Sequence, residues 1–357
     1  MEQIRVGMIG TSDWSDMYFL PILSGYERAD LVAICGRNQK RAAEIAGKYS
    51  ISQTYSDYRQ MIDKAQLDAL VVATPDDLHC EMTSAALDAG LHVLCEKPLA
   101  NNADDAQQMF NKAETSGLKH MVNYTWLWLP QVQYIKHLID DGFLGRIYQA
   151  YFRFAFGWGN QREYNWKYDA NRCNGVVADL GSHMIHLARW LIGDVASVSA
   201  SLTAQVKRDG VGRQSLDPAN DSSFLLLEFK NGAQACIQNN FVTHMADESG
   251  ISISLFGENG TLRTDYFLSN LNCVVRGARR DDETLHTLDI PPDFTRGFKE
   301  GDMFAHFKTN SIGPRLFVDS ILNDKEVEPD FHDGYLNQLV IDAALESQRN
   351  RQRVTIS

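Results

Sequence analysis

The 357-residue sequence is short of the features that mark several common protein classes. It has no uninterrupted apolar run of the ~18–20 residues a membrane-spanning helix needs. Its beginning, MEQIRVGMIG, passes straight into a strand-like pattern without the apolar core of a signal peptide. No membrane partner is therefore expected, and the cytoplasm is the expected location. Cysteine is sparse and scattered: Cys35, Cys80, Cys95, Cys173, Cys236 and Cys273 form no Cys-x-x-Cys pair, so neither a disulfide framework nor a zinc site is indicated, and no metal is expected. Basic residues are outnumbered, 34 against 46 acidic, for a net charge of -12. That balance excludes a general affinity for nucleic acid or anionic lipid, while leaving room for a local basic patch on one phosphorylated ligand. No internal repeat or low-complexity segment is present.

What is there is ordinary globular material, 44% hydrophobic and 22% charged, in a chain long enough for two domains. The first third alternates short apolar runs (Ile4 to Gly10, Leu31 to Gly36, Leu67 to Thr74, His92 to Cys95, Lys119 to Asn123) with helical spacing over Lys40 to Tyr49 and Cys80 to Ala89. This is the pattern of a parallel sheet with helices on both faces. After Pro130 it changes. A helix over Gln131 to Asp140 and a strand over Ile147 to Phe154 precede a helix over Val177 to Leu191. Extended segments follow at Ser197 to Thr203, Ser222 to Phe229, Ala233 to Phe241, Ile251 to Phe256 and Leu271 to Arg276. Asn231-Gly232 and Asn259-Gly260 supply turn signals, and Asp333 to Arg349 reads as a C-terminal helix. The expected fold is α/β: a Rossmann-type nucleotide-binding domain over residues 1–123, then an α+β domain with a large, mostly antiparallel open sheet over 124–357.

The first strand delivers Gly10 to the turn Gly10-Thr11-Ser12-Asp13-Trp14-Ser15. A dinucleotide-binding turn uses one glycine for the bend, a second for backbone approach to pyrophosphate and a third for helix packing. Only the first is glycine here. Ser12 and Ser15 are small enough for a similar path, and the helix start still offers N–H groups and a positive dipole to phosphate. Gly10, Thr11, Ser12, Asp13 and Trp14 are thus a candidate cofactor turn, although a strand-to-helix turn with no ligand has the same local signature. At the end of the second strand, Gly36-Arg37-Asn38 lacks the acid that usually meets the ribose hydroxyls of NAD. Arg37, with Lys40 and Arg41 one turn on, suits the 2′-phosphate of NADP; a solvated basic helix start is the alternative.

At Ala73-Thr74-Pro75-Asp76-Asp77-Leu78-His79 and at Cys95-Glu96-Lys97-Pro98-Leu99 the sequence resembles the Gfo/Idh/MocA oxidoreductases, whose hallmark is Glu-Lys-Pro. The likeness continues in order through Asn174-Gly175-Val176-Val177-Ala178-Asp179-Leu180-Gly181-Ser182-His183, Leu255-Phe256-Gly257-Glu258-Asn259-Gly260-Thr261 and Phe331-His332-Asp333-Gly334. It implies a nicotinamide cofactor, NAD(H) or NADP(H), of which Arg37 and the missing acid favour NADP(H). Its bordering residues would be the Gly10 turn, Arg37, Asn38, Thr74, Pro75, His79, Glu96 and Lys97. It also implies homodimers or homotetramers packed through the C-terminal sheet.

Oxidising an alcohol requires a base for the hydroxyl proton and a cation or donor for the developing alkoxide. Lys97 fits the second role, just past the carboxyl end of a strand, the edge where open α/β sheets bind ligands. Asp179 and His183 are four apart on an expected helix, so they share a face, and a carboxylate-oriented histidine is a suitable base. The resemblance maps the family's acid/base pair onto these two positions. Tyr124, Trp126, Trp158, Trp166 and His186 are candidate substrate contacts, since aromatic faces pack on sugar C–H surfaces; core packing is the alternative for each. Arg153, Arg162, Asn165 and Lys167 are available to hydroxyls or an anionic group. Leu127 stands where relatives often carry arginine, so any contact from that arginine is lost. The expected activity is therefore a sugar or polyol dehydrogenase or reductase. An NAD-dependent glycosidase of the same family and a non-catalytic, cofactor-binding regulator are the competing readings.

Overall fold

The computed structural model describes residues 2–210, 216–244, 247–269 and 271–356. Its contacts divide the chain into two compact units, Met1–Tyr124 with Phe304–Gln338, and Thr125–Met303 with Leu339–Ser357. The units part after Tyr124, ahead of the change of pattern at Pro130, and the stretch from Phe304 to Gln338 groups with the first unit.

In the first unit, six strands form one parallel sheet in the order β3-β2-β1-β4-β5-β6. They are β1 (Ile4–Ile9), β2 (Ala29–Cys35), β3 (Gln53–Tyr55), β4 (Ala69–Val72), β5 (His92–Glu96) and β6 (His120–Asn123). This is the strand order of a dinucleotide-binding fold. β4 and β6 are buried along their whole length, as strands covered on both faces must be. The helices between them are α1 (Leu20–Ser24), α2 (Gln39–Tyr49), α3 (Tyr58–Lys64), α4 (His79–Asp88) and α5 (Ala103–Ser116). Asn38, Asp57 and Asn102 cap α2, α3 and α5 by accepting from the first-turn N–H groups, and Gly117 ends α5 in the left-handed conformation. β3 went unread in the sequence because three residues carry no resolvable period.

In the second unit come α6 (Pro130–Asp140), β7 (Ile147–Ala155), α7 (Val176–Asp179), α8 (Gly181–Ile192), β8 (Val195–Thr203), β9 (Ser222–Phe229), β10 (Gln234–Asn240), β11 (Gly250–Gly257), β12 (Gly260–Phe267), β13 (Val275–Arg279), β14 (His286–Leu288) and α9 (Pro292–Thr295). The chain then forms α10 (Pro314–Leu322) in the first unit, α11 (Phe331–Asn350), and β15 (Val354–Thr355). The nine strands run β14-β13-β12-β11-β7-β10-β9-β8-β15, antiparallel except for the β7–β10 pair. One face of the sheet is covered by α8, which is buried almost all round and packs on β7 and β10. Alternate residues Phe152, Phe154, Leu225, Leu227, Ile253 and Leu255 complete that core. The other face leaves Tyr151, Phe224, Leu226 and Phe256 exposed.

Three expectations are corrected. The single helix expected over Val177–Leu191 is two, interrupted at Leu180, whose backbone nonetheless stays right-handed helical (φ -89°, ψ -38°). The strand expected over Leu271–Arg276 begins only at Val275, because Leu271 has φ 46°, which no strand residue adopts. β12 was not anticipated: Arg263 and Asp265 break its apolar run, yet Leu262, Thr264 and Tyr266 alternate inward as a strand requires.

Candidate active site

The turn after β1 is built around Gly10. Its φ is 125°, and a Cβ there would sit 2.2 Å from the Ala73 carbonyl oxygen, so both conformation and space demand glycine. Ser12 then caps the following helix, its Oγ accepting from Ser15 N (3.2 Å). That helix passes through a wide π turn over Ser15–Phe19 before α1. Trp14 leans on Tyr18, with rings 4.9 Å apart and 10° from parallel, and donates from Nε1 to Glu96 Oε1 at 3.0 Å. Thr11 is partly exposed, while Asp13 is fully exposed and lies 3.5 Å from Arg41. The first-turn N–H groups of a helix lack intrahelical acceptors, so this turn suits a pyrophosphate.

At the end of β2, Arg37 is exposed and makes no hydrogen bond or ion pair among the described residues. Arg41, by contrast, is already held by Asp16 at 2.9 Å. Asn38 Oδ1 caps α2 by accepting from Arg41 N (3.1 Å). Of the basic cluster read from the sequence, Arg37 is thus the member open to a ligand phosphate beside exposed Lys40.

Glu96 ends β5 almost fully buried and is the hub of this edge. Its Oε1 accepts from Trp14 Nε1 and from Asn123 Nδ2 (2.6 Å), and its Oε2 accepts from Lys97 N (3.3 Å). Asn123 in turn accepts from the Tyr18 hydroxyl at 3.1 Å. Trp14, Glu96, Asn123 and Tyr18 therefore close a ring that ties the Gly10 turn to the Lys97 segment. Lys97 itself is partly exposed. Thr74 and Pro75 follow β4; the Thr74 hydroxyl is enclosed without a hydrogen-bond partner among the described residues, and its carbonyl faces His79. His79 is completely buried, with Nδ1 2.8 Å from Pro98 O and Nε2 2.9 Å from Thr74 O. Tyr124, also buried, shares a 2.6 Å hydrogen bond donated by Asn337 Nδ2 to its hydroxyl.

In the second unit, Gly175 starts α7 with φ 71°, and a Cβ there would lie 2.4 Å from Asn220 O. Asn220 grips this turn from both sides: its Oδ1 accepts from Val177 N (3.0 Å) and its Nδ2 donates to Asn174 O (2.7 Å). Asp179, at the far end of α7, pairs with Lys167 at 2.8 Å. Lys167 thus emerges from a group of equally weighted polar residues as the one beside the candidate carboxylate. His183 is buried against two aromatic edges, Trp126 (6.3 Å) and Phe154 (6.0 Å). Trp158 is 47% exposed and stacks on Phe156 at 4.1 Å, so its outer face is open to a ligand. Trp166 is partly exposed beneath the Lys167 ammonium, 5.7 Å from its ring. His186 is buried; desolvation, with the Arg189 charge behind it, pushes its pKa down to about 3, so it is neutral in the folded protein.

Sequence reasoning missed Asn123 as a support, Asn220, and a buried clamp at Arg208. Arg208 donates to Asp221 (2.9 Å) and to Gly159 O (2.5 Å), and stacks 3.8 Å over the Tyr168 ring. These contacts join residues far apart in the chain, and no local motif announces them.

Two family profiles match the chain: an oxidoreductase family with an NAD-binding Rossmann fold over residues 4–124, and the C-terminal alpha/beta domain of the same family over residues 136–356. Levoglucosan dehydrogenase of Pseudarthrobacter phenanthrenivorans is 26% identical, across 100% of this chain and 99% of the relative. D-glucoside 3-dehydrogenase of Escherichia coli is 27% identical over 71% of this chain and 75% of its own length. The scyllo-inositol 2-dehydrogenase (NADP+) of Bacillus subtilis is 30% identical over 58% and 65%. Among solved structures, levoglucosan dehydrogenase in complex with NADH superposes with a TM-score of 0.89 at 24% identity, covering 100% of both chains. With its hallmark Glu96-Lys97-Pro98 and both domains matched, the chain belongs to the Gfo/Idh/MocA family of oxidoreductases.

Proposed function

We propose that this protein transfers a hydride between a nicotinamide cofactor and a hydroxyl-bearing carbon of a sugar, polyol or sugar derivative, with NADP(H) preferred. The observation that carries the reading is Lys97 on its Glu96 anchor at the carboxyl edge of a parallel dinucleotide-binding sheet. The named sugar and polyol dehydrogenases among the relatives support the substrate class.

The Gly10 turn would hold the pyrophosphate, Thr74, Pro75 and Glu96 would border the cofactor, and Arg37 would pair with a 2′-phosphate. Bound there, nicotinamide supplies the hydride acceptor or donor. Lys97 places a cation at the reacting oxygen, where it stabilises developing alkoxide. His183 takes the hydroxyl proton, and its enclosure by Trp126 and Phe154 keeps bulk water from that ring. Asp179, bridged to Lys167, holds a negative charge on the same chain segment, available to orient the base or a substrate hydroxyl. Trp158 and Trp166, the members of the aromatic group that reach solvent, offer apolar faces to a sugar ring, whereas Tyr124 and Trp126 are buried and serve packing. The exposed Tyr151, Phe224, Leu226 and Phe256 support assembly as a homodimer or homotetramer through the nine-stranded sheet.

Fluorescence titration with NADPH and NADH tests the cofactor assignment. NADPH should bind about tenfold tighter or more, the scale of one charge-assisted contact, and Arg37→Ala should erase most of that ratio. Equal loss for both cofactors in Arg37→Ala would remove Arg37 from the 2′-phosphate role, and preference for NADH would reverse the assignment.

A further inference from the structure

His79 begins α4, three residues after Asp76, and no part of it reaches solvent. Its two ring nitrogens both face backbone carbonyl oxygens at hydrogen-bond distance, Pro98 O at 2.8 Å and Thr74 O at 2.9 Å. A carbonyl oxygen only accepts. A neutral imidazole has one N–H and one lone pair, so it can satisfy one of these oxygens and must oppose the other, lone pair to lone pair. Only the doubly protonated ring donates to both. A buried cation needs compensation, and this one has it: two carbonyl dipoles face the ring and the Asp76 carboxylate offsets its charge. Burial alone disfavours the charge, but Cys95, Asp76 and the Pro98 carbonyl outweigh it, raising the ring's pKa to about 10.

The two carbonyls belong to different segments. Thr74 lies in the loop after β4, and Pro98 directly follows Lys97 in the turn after β5. We propose that His79 is a positioning residue: held as an imidazolium, it staples the β4 loop to the turn that presents Lys97, and its charge is needed to keep both hydrogen bonds. With both nitrogens engaged inside the protein, His79 acts through Lys97 and Thr74 instead of touching cofactor. Its protonation stands on geometry alone, whereas its effect on turnover rests on the role proposed above for Lys97.

Two-bond proton–nitrogen correlation spectra of the full chain, labelled with nitrogen-15 at histidine, read the ring directly. An ordinary histidine, with a pKa of about 6.5, is neutral by about pH 8.5. One of the ten histidines should still give the imidazolium pattern there, and His79→Gln should remove that signal. A single pyridine-type nitrogen at His79 at that pH overturns the proposal, in wild type and whether or not the variant folds. His79→Gln should also lower kcat by about tenfold to a hundredfold, the scale of a misplaced catalytic group, while the NADPH dissociation constant stays within about threefold, less than one charge-assisted contact. Unchanged kcat in a folded His79→Gln also contradicts it. If wild type turned over no sugar or polyol, the functional reading would fail while the spectra still decided the charge.

Discussion

In the first unit, the groups around Lys97 are fixed by strand ends and by side chains that reach one another across the carboxyl edge of the parallel sheet: Trp14 and Asn123 on Glu96, and His79 on Thr74 and Pro98. In the second unit, Asp179 and Lys167 belong to a long connection between β7 and α8 that is mostly irregular. That stretch has no sheet to define it, so side chains hold it from outside: Arg208 through Gly159 and Tyr168, and Asn220 through Asn174 and Val177. The contrast has a physical basis. Parallel strands end at defined heights and present neighbouring loops together, whereas a loop of this length must have its backbone groups satisfied piecemeal. The first unit's edge is thus fixed by its strands, and the irregular segment of the second unit by its side-chain clamps.

The contrast extends to the two buried histidines. His79 is surrounded by acceptors and is charged; His186 sits in an apolar helix with Arg189 nearby and is neutral.

The largest expected effect comes from breaking the clamp in the second unit. Arg208→Ala leaves the fully buried Asp221 carboxylate without its guanidinium, and removing one partner of such a pair costs about 3–5 kcal/mol. Thermal unfolding should shift accordingly and sugar turnover should collapse, while NADPH titration of protein kept below its melting point should be little changed. Equal losses of cofactor and substrate binding would show that the two units do not divide the work in this way.

A smaller effect concerns pH. The folded pKa of His186 lies below its ordinary value, so between about 6.5 and about 3 the unfolded chain binds the extra proton and stability falls as the solution is acidified. His79 has the opposite sign: its contribution is complete below about 6.5 and is lost as pH rises through about 10. His186→Gln should therefore flatten the acid limb of a melting-temperature profile by more than about 1 kcal/mol, or about 2–4 °C, and leave the alkaline limb alone. An unchanged acid limb would mean that His186 titrates normally.

The same contrast explains what the sequence disclosed. Glu96-Lys97-Pro98 is contiguous, and Asp179 and His183 are four residues apart in sequence, so both were legible as local patterns although α7 and α8 part at Leu180 between them. The strands of the first unit were legible because burial on both faces leaves continuous apolar runs, all except β3. By contrast, the Trp14–Glu96 bond spans 82 residues, and Arg208 meets Gly159 across 49, so neither leaves a local trace. Lys167 was visible only as one polar residue among several until its pairing with Asp179 singled it out. The Leu180 interruption was hidden because its neighbours, Val177 and Leu187, keep helical spacing across it.

The most direct test of the proposed chemistry uses a panel of sugars and polyols deuterated at the hydroxyl-bearing carbon, with NADP+ and NAD+ as acceptors. Deuterium should appear on the reduced nicotinamide for at least one member, and His183→Ala should slow that transfer by about 10²–10⁴ while cofactor binding persists. Deuterium that never reaches the nicotinamide although the cofactor binds, or transfer at the wild-type rate in His183→Ala, would contradict the account.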